Sequence, residues 1–280
     1  GNDAFQETDT IGVTQPITKH NIFSDDQHRV GHDVGEAWAL AEGGRQGPTL
    51  VDLPKDVTQM DSEETVGPPE PPTTVETPES ADEAAVEAAV AALAEAERPV
   101  VLSGGGVIKG EAWDELRHFA MEYEIPVVTT MPGLGSFPED HDLALGMAGM
   151  HGTGYANLAI SNTDYLLAVG TRFDDRLTGA IPTFAPDAEV VHVDIDPAEI
   201  SKNVYADYPL VGDAKQVLRQ LDDAMGAAPD AAAWRETCER WQDEYPLDYE
   251  MPEDEPLKPE YVVEHFDEVT PDDTIVTTGV

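Results

Sequence analysis

Between residues 100 and 211 short, uninterrupted apolar runs alternate with stretches of helical character, and this alternation restricts the fold more than any other feature. Runs at 100–102, 127–130, 165–169, 190–194 and 209–211 are apolar at nearly every position, so each predicts a strand with no face left for water. Helical segments near 112–123, 155–160, 214–225 and 231–245 lie between or after them. Strands buried on both sides and separated by helices predict an α/β fold with a parallel, doubly wound sheet.

The flanks read differently. Residues 1–57 have the pattern of the C-terminal part of another α/β domain: a helix at 32–41, a Gly43-Gly44 stop, and a strand at 49–53 closed by Pro54. Residues 58–80 shift to Pro, Glu, Thr and Ser and read as an inter-domain linker. The central domain spans 81–228, opening at a capping box of Ser80 and Glu83 that starts an Ala-rich helix to residue 96. A helix and a Pro- and acid-rich linker fill 229–259, and a helix at 260–266 with a strand at 274–278 read as the opening of a third domain. Both ends of the chain read as cuts through domains.

Charge narrows the partners. The chain carries 57 acidic against 15 basic residues, a formal net charge of -42, spread along its whole length. Such a surface repels phosphate backbones and anionic lipid, which argues against nucleic acid and membrane as partners. Carboxylate pairs between apolar segments, such as Asp25-Asp26, Asp174-Asp175 and Asp222-Asp223, indicate an acid-coated globular protein whose self-repulsion needs salt to screen it, as in a halophile; an acidic protein at ordinary salt is the plain alternative. The single cysteine, Cys238, excludes an internal disulfide and fits a cytoplasmic setting. No run reaches the roughly 20 apolar residues of a membrane span.

Chemistry-bearing residues collect where the strands end. The first strand runs into Gly104-Gly105-Gly106 and a helix, a geometry that brings backbone amides toward a pyrophosphate, although a bare tight turn accounts for three glycines equally well. Residues 146–154 are dense in Gly, with Thr153 and His151 as polar contacts for a flat ligand; a lone His in such a turn is also a common structural residue. Gly170 precedes Arg172, Asp174, Asp175 and Arg176, whose guanidinia suit a diphosphate or else pair with the neighbouring aspartates. Asp194 and Asp196 close another strand, where a carboxylate meets a ribose or caps the next turn.

At these residues the chain resembles acetolactate synthase (acetohydroxyacid synthase) large subunits, in register from about Asp3 to Lys215. The stretches that carry the resemblance are Asp3-Ala4-Phe5-Gln6-Glu7, Ile17-Thr18-Lys19-His20-Asn21, Gly44-Arg45-Gln46-Gly47-Pro48, Asp52-Leu53-Pro54-Lys55-Asp56, Gly149-Met150-His151-Gly152, Arg172-Phe173-Asp174-Asp175-Arg176 and Asp194-Ile195-Asp196-Pro197-Ala198-Glu199-Ile200. It implies that 1–57 ends a pyrimidine-binding thiamine-diphosphate domain, that 81–228 binds FAD, and that 260–280 begins a diphosphate-binding domain.

The resemblance further implies FAD contacts at Arg45, Gly104, Gly105, Gly106, Thr130, Met131, Gly149, His151, Gly170, Arg172, Asp174, Arg176, Asp194, Ile195 and Asp213. Gln6 and Lys55 match positions bordering the active site, with Lys55 as a cation near a 2-oxo acid carboxylate; a surface Lys in a turn is the plain alternative. Met131-Pro132 departs from the Leu-Met usual in the family, and residues 62–79 have little matching sequence. The complete enzyme is implied to use thiamine diphosphate and Mg2+ and to condense two 2-oxo acids with loss of CO2, in branched-chain amino acid synthesis. A homodimer or tetramer and a small regulatory subunit are implied with it. The family's activating glutamate and its metal-binding Gly-Asp-Gly motif are not in this sequence, so this chain by itself is expected to be inactive. Other thiamine-diphosphate carboligases, such as a glyoxylate carboligase, and a non-catalytic FAD or NAD module are the alternatives.

Overall fold

The computed structural model describes residues 7–59, 61, 78–250, 256–271 and 273–277. In the N-terminal piece, α1 (Thr10–Thr14), β1 (His20–Phe23), α2 (Val30–Glu42), β2 (Thr49–Asp52) and α3 (Lys55–Gln59) follow one another, and β1 pairs in parallel with β2 from His20 opposite Thr49 to Phe23 opposite Asp52. The central part comprises α4 (Glu83–Glu95), β3 (Pro99–Ser103), α5 (Gly105–Lys109), α6 (Trp113–Glu122), β4 (Val127–Thr129), β5 (Ala144–Met147), α7 (Gly154–Asn162), β6 (Tyr165–Val169), α8 (Asp175–Thr178), β7 (Glu189–Asp194), β8 (Tyr208–Val211), α9 (Ala214–Ala224) and α10 (Ala232–Glu244). Helix α11 (Pro259–Val269) follows.

Strands β3 to β8 form one all-parallel sheet in the order β5-β4-β3-β6-β7-β8. The chain winds outward from β3 to one edge, returns to lie beside β3 as β6, and winds outward to the other edge. This is the doubly wound order of dinucleotide-binding sheets, with its reversal between β3 and β6.

Side-chain alternation explains why the strands are apolar throughout. On β6, Tyr165, Leu167 and Val169 join Val86, Leu93, Phe119, Val217 and Leu221 of α4, α6 and α9 in one core layer. Leu166 and Ala168 point the other way, into a second layer with Ala156, Ile160, Trp234 and Cys238 of α7 and α10. Trp234 is anchored there by its indole N–H, which donates to the Pro99 carbonyl at 3.1 Å.

Two expectations are corrected. Helix α4 is capped by Asp82, whose carboxylate accepts from the Ala85 amide at 3.0 Å, and not by a box at Ser80. The reason is Ala81: its N–H and C=O are both taken by the side-chain amide of Gln220 on α9, which holds it outside the helix. Residues 274–277 form no strand, since a strand needs a partner ladder and none is present among the described residues; residue 278 lies outside them. Asp196 caps the turn that follows β7, accepting from the Ala198 amide at 2.9 Å.

Candidate functional site

The loops leaving the C-terminal ends of β3 and β6 border a crevice. Further loops from β4, β7 and β8 line it, and the turn after α2 closes one side, leaving a cavity of about 550 Å³. Open parallel sheets bind ligands at this place because there no chain connection covers the strand ends.

Glycines make the crevice possible. A Cβ on Gly104 would stand 2.3 Å from the Gly170 carbonyl oxygen, and one on Gly106 would stand 2.5 Å from the Gly170 Cα. Gly170 itself has φ +60°, and the two loops interlock through Gly106 N–H to Gly170 C=O at 2.9 Å. The glycine run therefore serves the contact between the two halves of the sheet, and Gly106 lines the cavity as well. Gly105 also lines the cavity, as does Lys109 at the far end of α5.

The acidic wall comes from β7 and β8. Asp194 is buried and lines the cavity; its Oδ1 accepts from the Asp196 amide at 2.9 Å, and its Oδ2 stands 3.9 Å from His192 Nε2. Burial raises its pKa, and the nearby Glu199 and Asp196 push the same way against the hydrogen bond from Asp196. A raised value in the folded state means that the ionised carboxylate opposes folding at neutral pH and the penalty vanishes in acid. Asp194→Asn is thus expected to melt higher than the parent at pH 7, with the gain fading as pH falls toward the ordinary aspartate value of 3.8; melting curves across pH check it. Asp213 lines the cavity while its carboxylate caps α9 through the Gln216 amide at 3.1 Å.

Two guanidinia meet the same space from different parts of the chain. Arg45, in the turn after α2, places Nη1 2.5 Å from Glu199 Oε1 and 3.2 Å from Asp196 Oδ2. Glu199 is only 4% exposed and also receives Lys202 Nζ at 3.0 Å. Burial alone would raise its pKa, but the hydrogen bonds from Lys202 and Arg45 outweigh that and hold it below the usual glutamate value. Arg172 lines the cavity, is exposed, and has no carboxylate within 4 Å among the described residues. The internal pairing expected of the two arginines is limited to Arg176 and Asp175, 3.9 Å apart and both exposed.

Of the sequence-predicted residues, Arg45, Gly105, Gly106, Thr130, Gly170, Arg172, Asp174, Asp194, Ile195 and Asp213 line the cavity, with Gly104 directly behind it. Asp174 caps α8 through the amides of Arg176 and Leu177. Met131 is 59% exposed and does not line the cavity; Pro132 does. Gly149, His151 and Arg176 stand on adjoining turns outside it, tied together by the Met150 amide donating to the Arg176 carbonyl. Lys55 opens α3, exposed and away from the cavity, and Gln6 lies outside the described residues. Glu199, Lys109, Gln46 and Thr171 went unpredicted. Nothing in the sequence marks a buried glutamate among 57 acids, although Glu199 stands in one of the matched motifs.

Residues 86–221 match the family described as thiamine pyrophosphate enzyme, central domain, so this part of the chain is a domain of that family, and its doubly wound sheet with a switch-point crevice agrees with the match. Over its whole length the chain is similar to acetolactate synthase large subunits. It is 43% identical to the acetolactate synthase large subunit of Corynebacterium glutamicum and 44% identical to that of Parasynechococcus marenigrum, covering 100% of this chain and 45% and 46% of those proteins. The acetolactate synthase of Mycobacterium leprae is 43% identical over 100% of this chain and 46% of its own length. The chain thus spans about half the length of the curated relatives it matches.

Proposed function

We propose that the crevice holds FAD and that the protein acts as the catalytic subunit of an acetolactate synthase. The observation that carries the FAD reading is Arg172, without a carboxylate partner among the described residues and lining a cavity at the switch point of a doubly wound sheet. A diphosphate has room beside the loop of Gly105 and Gly106, with Arg172 as its bidentate partner and Arg45 across the cavity. Asp194 and Asp213 suit hydroxyl donors such as a ribose. Met131, Gly149, His151 and Arg176 remain FAD candidates from the resemblance alone, as Gln6 and Lys55 remain substrate-side candidates.

The relatives' names support the reaction, in which pyruvate condenses with a second pyruvate or 2-oxobutanoate and CO2 is lost, the first common step toward branched-chain amino acids. Thiamine diphosphate, held with Mg2+, supplies the carbanion chemistry. Within this chain the residues bind and orient, and the stretches 1–57 and 260–280 belong with the thiamine-diphosphate domains. A homodimer or tetramer, a small regulatory subunit and a cytoplasmic location complete the proposal, and the acid coat suits a halophile. No helix among the described residues is long and apolar enough to cross a membrane.

Flavin absorbance and fluorescence of the purified protein in high salt test the FAD reading. The parent is expected to retain FAD stoichiometrically and Arg172→Ala to bind it more weakly by on the order of tenfold to a hundredfold, the range for losing a charge-assisted hydrogen bond. A folded parent without flavin overturns it.

A further inference from the structure

His192 lies on β7, 0% exposed, beneath the turn that carries Arg172. Its Nε2 stands 2.8 Å from the Thr171 carbonyl oxygen, so the ring donates from Nε2, with Asp194 Oδ2 3.9 Å away; its Nδ1 is buried and has no partner among the described residues. Burial lowers its pKa and keeps the ring neutral. The same ring meets Phe173 edge-on, with centroids 4.9 Å apart, and Phe184 covers Phe173 at 5.8 Å. Phe173 is buried with φ +50°, a left-handed conformation that a bulky residue keeps only when its surroundings hold it there.

Asn203 completes the floor of this turn. Its side-chain amide donates to the Arg172 and Phe173 carbonyls at 3.1 Å each. Three successive carbonyls, at 171, 172 and 173, are therefore satisfied by side chains, and the peptide planes between them cannot rotate without losing a partner. Neither His192 nor Asn203 lines the cavity, whereas Thr171 and Arg172 do.

We propose that His192, together with Asn203, is a positioning residue of the dinucleotide site, fixing the left-handed turn that aims Arg172 into the crevice while touching no ligand itself. The inference rests on the FAD reading of the cavity.

Glutamine places its amide nitrogen where Nε2 of histidine stands, and asparagine places it near Nδ1, where no acceptor waits. FAD dissociation constants of the full chain in high salt are expected to stay within about twofold of the parent for His192→Gln and to rise on the order of tenfold for His192→Asn. Asn203 is exposed, so Asn203→Ala keeps the fold, and it is expected to weaken FAD to a similar degree. In an Arg172→Ala background Asn203→Ala weakens FAD no further, because it acts through that guanidinium. If His192→Asn fails to fold, Asn203→Ala alone and combined with Arg172→Ala decides. The proposal is overturned if the variants bind FAD as the parent does, or if Asn203→Ala loses the same factor again without Arg172. A folded parent that binds no FAD instead removes the dinucleotide reading, and the inference with it.

Discussion

Gly106→Ala is expected to lower stability by about 3 kcal/mol, the upper part of the range for forcing extra atoms into a filled space, and to abolish retention of the dinucleotide. The added methyl would stand 2.5 Å from the Gly170 Cα and 3.1 Å from its carbonyl oxygen, both backbone atoms that no rotamer change can move aside. Relief requires the β6 loop to withdraw, which breaks the Gly106 to Gly170 hydrogen bond and shifts the turn carrying Arg172. Gly226→Ala is the control: nothing lies within 4 Å of the new methyl, so its effect should stay within about 0.5 kcal/mol. Thermal melts and flavin content of the two variants read the outcome; equal behaviour would mean that the loops are not interlocked in solution.

The second large effect concerns the join between the N-terminal piece and the central sheet. Arg45→Ala leaves Glu199, 4% exposed, with Lys202 as its remaining cation. Breaking a fully buried pair costs roughly 3–5 kcal/mol. Arg45 is half exposed and Lys202 stays, so about 1–2 kcal/mol is expected here once solvent screening is allowed for. The loss should appear as faster amide exchange in α2, while the central strands keep their protection. Because Glu199 is held below its ordinary value of 4.5, its contribution is present above that pH and disappears as pH falls through the lowered value. Glu199→Gln should therefore show a gap to the parent that shrinks as pH falls, and a gap that does not change with pH would remove the ion pair as the cause.

The fold was legible because doubly buried strands leave a trace that survives without neighbours. Residues 165–169 were bounded correctly from apolar continuity alone. Strand β5 escaped because its Ala-Leu-Gly-Met run is short and holds Gly146 at φ +69°, and β1 because its His and Asn interrupt the apolar pattern. The cavity walls were legible where a strand ends in Gly or Asp, as at Gly170 and Asp194. What stayed hidden depends on distance: Glu199 meets Arg45 across 154 positions, and the floor beneath Arg172 is built from His192 and Asn203. No local pattern distinguishes such residues from a solvated acid or an ordinary buried histidine.

The reversal of strand order carries a consequence for how the molecule comes to be. The pairing of Pro99 with Tyr165 is the least local among the described strand pairs, with β4, β5 and three helices intervening between its members. Closing that loop costs entropy before any contact repays it, and such pairings set the pace of folding. The neighbouring pairs, β4 with β5 and β6 with β7, form from nearby segments and are free to assemble first. The crevice exists only between β3 and β6, so during synthesis and refolding a chain has no recognition surface until its slowest sheet contact is complete.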